Sequence, residues 1–113
     1  MATIPDLDLA RIRQYCAAKV PPEIQDQVRV EHRVRGATVT IVERRPPWRP
    51  DLETEWTESP QARMKYDESR AAWTLYWFDR NSRAHLYDGI DPHQPIVAIL
   101  DEVDRDPTAI FWG

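Results

Sequence analysis

Between Ala62 and Asp88 the chain reads ARMKYDESRAAWTLYWFDRNSRAHLYD, and apolar residues alternate with polar ones through three short runs. Ala62, Met64 and Tyr66 fall on one side, Arg63, Lys65 and Asp67 on the other, and polar pairs at Glu68-Ser69 and Asn81-Ser82 interrupt the pattern. A period of two is that of a pleated strand, so the stretch predicts three consecutive antiparallel strands joined by hairpin turns. With two-residue loops, Met64 falls opposite Trp73, Ala62 opposite Leu75 and Trp77 opposite Leu86, which gathers the large apolar side chains on one face as core. The other face then carries Arg63, Lys65, Thr74, Tyr76, Phe78, Arg80, Arg83, His85 and Tyr87, a mixture of cations and aromatic rings. What the chain does beyond folding turns on whether that second face is covered or open.

Cover for the core face comes from both ends of the chain. Leu9, Ile12, Cys16 and Val20 share one helical face behind Asp6, which reads as an N-cap, and Pro21-Pro22 stop the helix because neither ring continues the hydrogen-bond ladder. Cys16 falls on the buried stripe and is expected to act as a small hydrophobe, not a nucleophile. Near the other end, Ile96, Ile99, Leu100 and Val103 mark a second amphipathic helix starting near Pro95. Asp101, Glu102, Asp104 and Asp106 crowd its C-terminal end against the helix dipole, where sheet arginines are the expected offset. The final Ile110-Phe111-Trp112 is too apolar for a frayed tail and predicts a packed extended segment.

Two more strands are expected from Val28 to Glu43, where the alternation runs either side of Arg35-Gly36 and glycine supplies the positive φ of a tight turn. Pairing Val34 with Ala37 turns Val28, Val30, His32, Val39 and Ile41 inward, which makes His32 a core-margin residue. The connection from Arg44 to Gln61 holds four of the ten prolines and two of the five tryptophans. It is too long for a hairpin loop, and Trp48 and Trp56 are expected to pin it to the body as a wrapped strap. In the alternative, Pro46-Pro47-Trp48-Arg49-Pro50 takes a polyproline conformation and Trp48 lines a ligand groove.

At 113 residues, 42% apolar and 30% charged, the chain is expected to form one domain over 1–113 with one core and no need of metal or disulfide. No apolar run approaches the ~20 residues of a membrane span, and no basic-then-apolar leader opens the chain. With its single cysteine, this points to the cytoplasm. The net charge of −4 is segmented. Residues 27–49 hold six arginines against two glutamates, whereas residues 50–61 hold four carboxylates and no base. Internal compensation between neighbouring segments is the plain reading of that alternation.

The segments VTIVERRPPWR, ARMKYD, WTLYWFDRN, LYD and DRDPTAIFWG together resemble a family of short actinobacterial proteins catalogued only as a domain of unknown function. The resemblance spans nearly the whole chain and implies a complete domain. It brings no activity, cofactor or catalytic residue to carry over.

Most chemistry is argued against by type. With three glycines there is no phosphate-cradling loop and no dinucleotide fingerprint. Ser59, Ser69 and Ser82 sit in polar turns without a nucleophile-elbow pattern. Glu43-Arg44-Arg45 places arginine where a metal-dependent nuclease uses lysine. Asp88, Asp91 and His93 describe a turn and helix cap as well as they describe a metal site, so neither metal nor cofactor is expected. The fold expected is therefore α+β, an antiparallel sheet of about five strands with an N-terminal and a C-terminal helix on one face. The leading functional class is a non-catalytic module binding an unidentified protein or small ligand through Arg63, Lys65, Tyr76, Phe78, Arg83, His85, Tyr87 and Trp48. Its sharpest form is recognition of single-stranded nucleic acid, with bases stacked on the rings and phosphates on the cations. The rivals are a small enzyme with an acid–base site at His85, Asp79 and Asp88, and a homodimer joined through the same face.

Overall fold

The computed structural model describes residues 3–49, 51–52 and 54–113. Helix α1 (Asp6–Lys19) is followed by a short 3-10 turn at Pro22–Ile24, then strands β1 (Arg29–Arg35), β2 (Thr38–Arg45), β3 (Thr57–Asp67), β4 (Ala72–Phe78) and β5 (Ala84–Leu86), and finally α2 (Ile96–Arg105). The five strands form one antiparallel meander in the order β1-β2-β3-β4-β5. The wrapped strap expected between the first two strands and the last three does not part them, because β2 and β3 pair from Thr38↔Lys65 to Arg45↔Thr57. Pro60, which donates no ladder bond, is tolerated in β3 beside a bulge, where Ile41 faces Ala62, Val42 faces Pro60 and Gln61 is the extra residue.

The loops decide which residues share a face. Between β1 and β2 the turn is Gly36-Ala37, with Gly36 at φ +60° in the first central position, so Val34 faces Val39 and not Ala37. Between β3 and β4 the loop has four residues instead of two. The Asp67 carboxylate accepts the Ser69 backbone N–H and hydroxyl, and Ala71 sits at φ +50°. The pairing therefore slides by two residues, setting Met64 opposite Leu75, Tyr66 opposite Trp73 and Ala62 opposite Trp77. An even slip leaves the faces as expected. The β4–β5 connection slips by one. Asp79 Oδ1 accepts the N–H groups of Asn81 and Arg83, Ser82 adopts φ +60°, and a three-residue loop results. That odd count places His85, not Leu86, opposite Trp77 and turns Leu86 outward beside Tyr76.

Both helices lie on one face of the sheet and close one core. Ile12 and Cys16 of α1, Val39, Ile41, Met64, Trp73 and Leu75 of the sheet, and Ile99 and Val103 of α2 belong to a single buried cluster. Trp73 is its largest fully buried side chain, and its indole N–H donates to Asp8 Oδ2 of α1 at 2.8 Å. The helix thus docks by an apolar stripe and one polar bond. Asp6 is the first helical residue and not the cap; Pro5 holds the N-cap position without a side-chain bond. The acidic end of α2 is compensated locally and not by sheet arginines. Asp104 meets Lys19 of α1 at 3.3 Å, and Asp106, at φ +44°, accepts the N–H groups of Phe111, Trp112 and Gly113. Those bonds fold the C-terminal segment back so that Phe111 packs 5.1 Å from the Tyr87 ring.

The 44–61 connection is not a wrapped strap. Strands β2 and β3 extend into it, and Trp48 and Leu52 remain 88% and 72% exposed. Of its two tryptophans, Trp56 leans back, with its ring 4.3 Å below the Arg29 guanidinium and 5.8 Å from that of Arg44.

Candidate functional site

Among the described residues no helix covers the other face of the sheet, and this bare face is chemically divided. On the β1–β2 side four charges neutralise one another: Arg33 bonds Glu31 at 3.0 Å and Glu58 at 2.7 Å, while Arg44 reaches Glu31 at 3.3 Å and Glu58 at 3.8 Å. Burial works against ionisation of Glu31, yet the hydrogen bonds from Arg33 and Arg44 hold its carboxyl below the usual range. Pairing of Arg44 with Glu58 across β2–β3 places these charges side by side, and Val42 is buried among them.

On the β3–β4 side the cations have no such partners. Arg63 faces Tyr76 and Lys65 faces Thr74 across the ladder, and among the described residues neither cation lies within 4.0 Å of a carboxylate. The Arg63 guanidinium instead lies 5.1 Å over the Phe78 ring, and its Nε donates to Thr40 Oγ1 at 3.4 Å. A guanidinium spread on an aromatic face keeps its outer N–H groups available to a ligand. Next to it an open groove of about 700 Å³ is lined by Lys65, Thr74, Tyr76, Ser69 and His93, with Asp67 and Glu68 at its turn end.

Of the residues expected in one site, the fold brings together Arg63, Lys65, Tyr76 and Phe78. His85 and Tyr87 leave the face because of the one-residue slip at β5, and Arg83 and Trp48 because they lie in loops. His85 turns to the helix side and stacks on Trp77, ring centres 4.7 Å apart. Tyr87 is buried, its N–H donating to Leu75 and its hydroxyl to Glu102 Oε2 at 2.6 Å. Burial and that bond push the Tyr87 phenol up to about 12. Arg83 lies in the β4–β5 loop, and Trp48 stands exposed in the β2–β3 loop.

Two of the three acid–base candidates do meet. His85 Nε2 and Asp79 Oδ2 are 2.7 Å apart, and His85 together with the Arg83 and Asn81 amides holds the Asp79 carboxyl below the usual carboxylate range. The second oxygen of Asp79 is spent on the two amides that shape the loop, so the pair reads as a turn lock. Asp88 takes no hydrogen bond in it. Among the described residues no three of His, Cys, Asp and Glu gather where a metal ion could sit. Cys16 is buried beneath α1, and desolvation pushes its thiol up to about 12, which keeps it protonated.

The Tyr87–Glu102 bond was missed in the sequence, although one signal pointed to it. Glu102 sits three residues after Ile99 and next to Val103, on the apolar stripe, and a carboxylate there needs a donor from across the core. Gly89 belongs to the same feature: a Cβ at that position would overlap the Tyr87 ring.

No helix of the described residues is long and apolar enough to cross a membrane. No curated protein and no solved structure matches the chain. A family model does, over residues 1–113, and the chain therefore belongs to the DUF3024 family, a domain of unknown function.

Proposed function

We propose that this domain is a non-catalytic binding module whose bare sheet face takes an extended anionic ligand with flat rings, namely single-stranded nucleic acid. The observation that carries this reading is a contrast within one face: Arg33 and Arg44 are neutralised by Glu31 and Glu58, while Arg63 and Lys65 stand without carboxylates among the described residues and beside Tyr76 and Phe78. Phosphates suit the unpaired cations, and bases suit rings that stand on an antiparallel sheet. The acidic residues of α2 lie on the opposite side of the sheet, away from Arg63 and Lys65.

Titration of a mixed-sequence single strand by fluorescence anisotropy tests the proposal. Affinity is expected to fall with salt at a slope near 0.7 per neutralised phosphate. Tyr76→Ala should weaken binding by about 1–3 kcal/mol without unfolding the domain. No binding at low salt would end this reading. A drop in sedimentation mass caused by Tyr76→Ala would instead assign the face to a homodimer.

A further inference from the structure

The two edges of the sheet are finished differently. The β4 edge is closed by β5, by the Tyr87 N–H on the Leu75 carbonyl, and by Trp73 and Gln94, which exchange both backbone bonds at 2.7 and 2.8 Å. The β1 edge has no neighbour among the described residues. In a two-residue hairpin the pair flanking the turn, Arg35 and Thr38, exchanges both ladder bonds, so Arg33, Glu31 and Arg29 also bond toward β2. Val30, His32 and Val34 therefore direct N–H and C=O groups outward, and the His32 carbonyl accepts only the Arg33 side chain. Exposed edges are usually blunted by proline, a bulge, shortness or an inward-pointing charge. Of the devices that blunt such edges β1 carries only side-chain charge, on Arg29, Glu31, Arg33 and Arg35 of the bare side: it is seven residues long, regular, and its helix-side residues are Val30, His32 and Val34, the last 49% exposed. Nor does α1 close it, since an open groove of about 260 Å³ runs between Arg13 and Ala17 of the helix and Val30 and His32 of the strand.

We infer that β1 is a self-pairing edge whose occupant is β1 of a second copy, antiparallel and centred on His32. The strand is complementary to itself about that residue. On the helix side, Val30 meets Val34 of the second copy and the outward backbone groups of residues 30, 32 and 34 fall opposite one another. On the bare side, Glu31 meets Arg33 twice. Neighbouring symmetric registers lose this match, because centring on residue 31 or 33 brings Glu31 to Glu31 or Arg33 to Arg33. The like pairs that remain are His32 with His32 of the second copy at the centre and Arg29 with Arg35 at each end, where Arg29 is already held over Trp56. Two sheets joined this way form one ten-stranded sheet with a continuous bare face, a closed two-fold arrangement that leaves no β1 edge free. The inference does not depend on what that face binds.

Sedimentation of the full chain across a concentration series up to ~1 mM, where mass action reveals a weak dimer, tests it directly. The wild type is expected to dimerise, and Val34→Lys, an inward charge on a half-exposed site, to dissociate it. Glu31→Arg and Arg33→Glu each create two like-charge contacts and should weaken self-association about tenfold or more. Mixed in equal amounts, those two variants should pair with each other, because a strand with arginine at both positions then lies against one with glutamate at both. A monomeric wild type, a dimer indifferent to Val34→Lys, or an equimolar mixture that stays monomeric while both variants melt as folded proteins would each overturn the proposal.

Discussion

On the helix side of the sheet Val39, Ile41, Met64 and Trp73 are shut off from solvent, whereas on the opposite side their chain neighbours Thr40, Arg63, Lys65 and Thr74 stay exposed or half-exposed. Both faces come from the same strands by simple alternation. The helix side spends its residues on burial and answers its most buried polar groups, as Trp73 is by Asp8 and Glu102 by Tyr87. The bare side carries charge and hydroxyls and, among the described residues, leaves Arg63 and Lys65 without a carboxylate partner. Stability should therefore reside on the first face and binding on the second, and substitutions on the two faces should separate these properties.

The largest effect is expected at Trp73. Truncation to alanine removes the biggest buried side chain and leaves Asp8 without its donor, and should cost about 3–5 kcal/mol in denaturant melts. Trp73→Phe, which keeps most of the packing and loses only the indole N–H, should cost far less. A loss below about 1 kcal/mol for Trp73→Ala would place that indole at the surface and exchange the roles of the two faces.

Much of this division was legible in the chain. Period-two runs located the strands, the spacing of Ile96, Ile99, Leu100 and Val103 located α2, and Pro21-Pro22 ended α1. What was not legible was the count of residues in each loop. Asp79 gathers two amides and makes a three-residue loop, so His85 and Tyr87 pass to the helix side while Leu86 passes to the bare one. Composition cannot reveal that parity, because it depends on which backbone groups one carboxylate reaches. Trp48 misled for a different reason. Its size argues for burial, but extension of β2 and β3 carries its loop away from the core, and only Trp56 finds cover under Arg29 and Arg44. Four of the eight residues expected at the site therefore share the bare face, and their grouping rests on the strands alone.

An intermediate effect is expected where the helix face admits a polar pair. Tyr87→Phe strands the Glu102 carboxylate, buried and otherwise only 3.7 Å from Arg105, and should cost about 1–3 kcal/mol near neutrality. The same phenol shapes the alkaline limb of stability. With its folded pKa raised to about 12, the proton is lost first from the unfolded chain, so the stability it contributes is full below the ordinary tyrosine value near 10 and falls as pH rises from there toward 12. Melts across that window should show a shallower decline in Tyr87→Phe than in the wild type. Identical slopes would mean that the hydroxyl is solvated and the bond to Glu102 is not formed in solution.

The smallest effect sharpens the boundary between the faces at His32, half-buried on the helix side of the open edge. Burial first, and then the nearby charges of Arg13 on α1 and Arg33 on β1, lower its pKa, with Glu31 acting in the opposite sense. The folded protein thus holds the ring neutral at a pH where the unfolded chain already binds a proton. Stability is then flat above the ordinary histidine value near 6.5 and declines as pH falls through it, until the lowered folded pKa is passed and both states are charged. Replacing the ring with His32→Gln should flatten that part of the acid limb while leaving neutral stability within about 0.5 kcal/mol, as expected of a substitution at a half-exposed site. If the slope between about pH 6.5 and the carboxylate range is unchanged in His32→Gln, the ring is fully hydrated and the groove between α1 and β1 is wider in solution than the fold indicates.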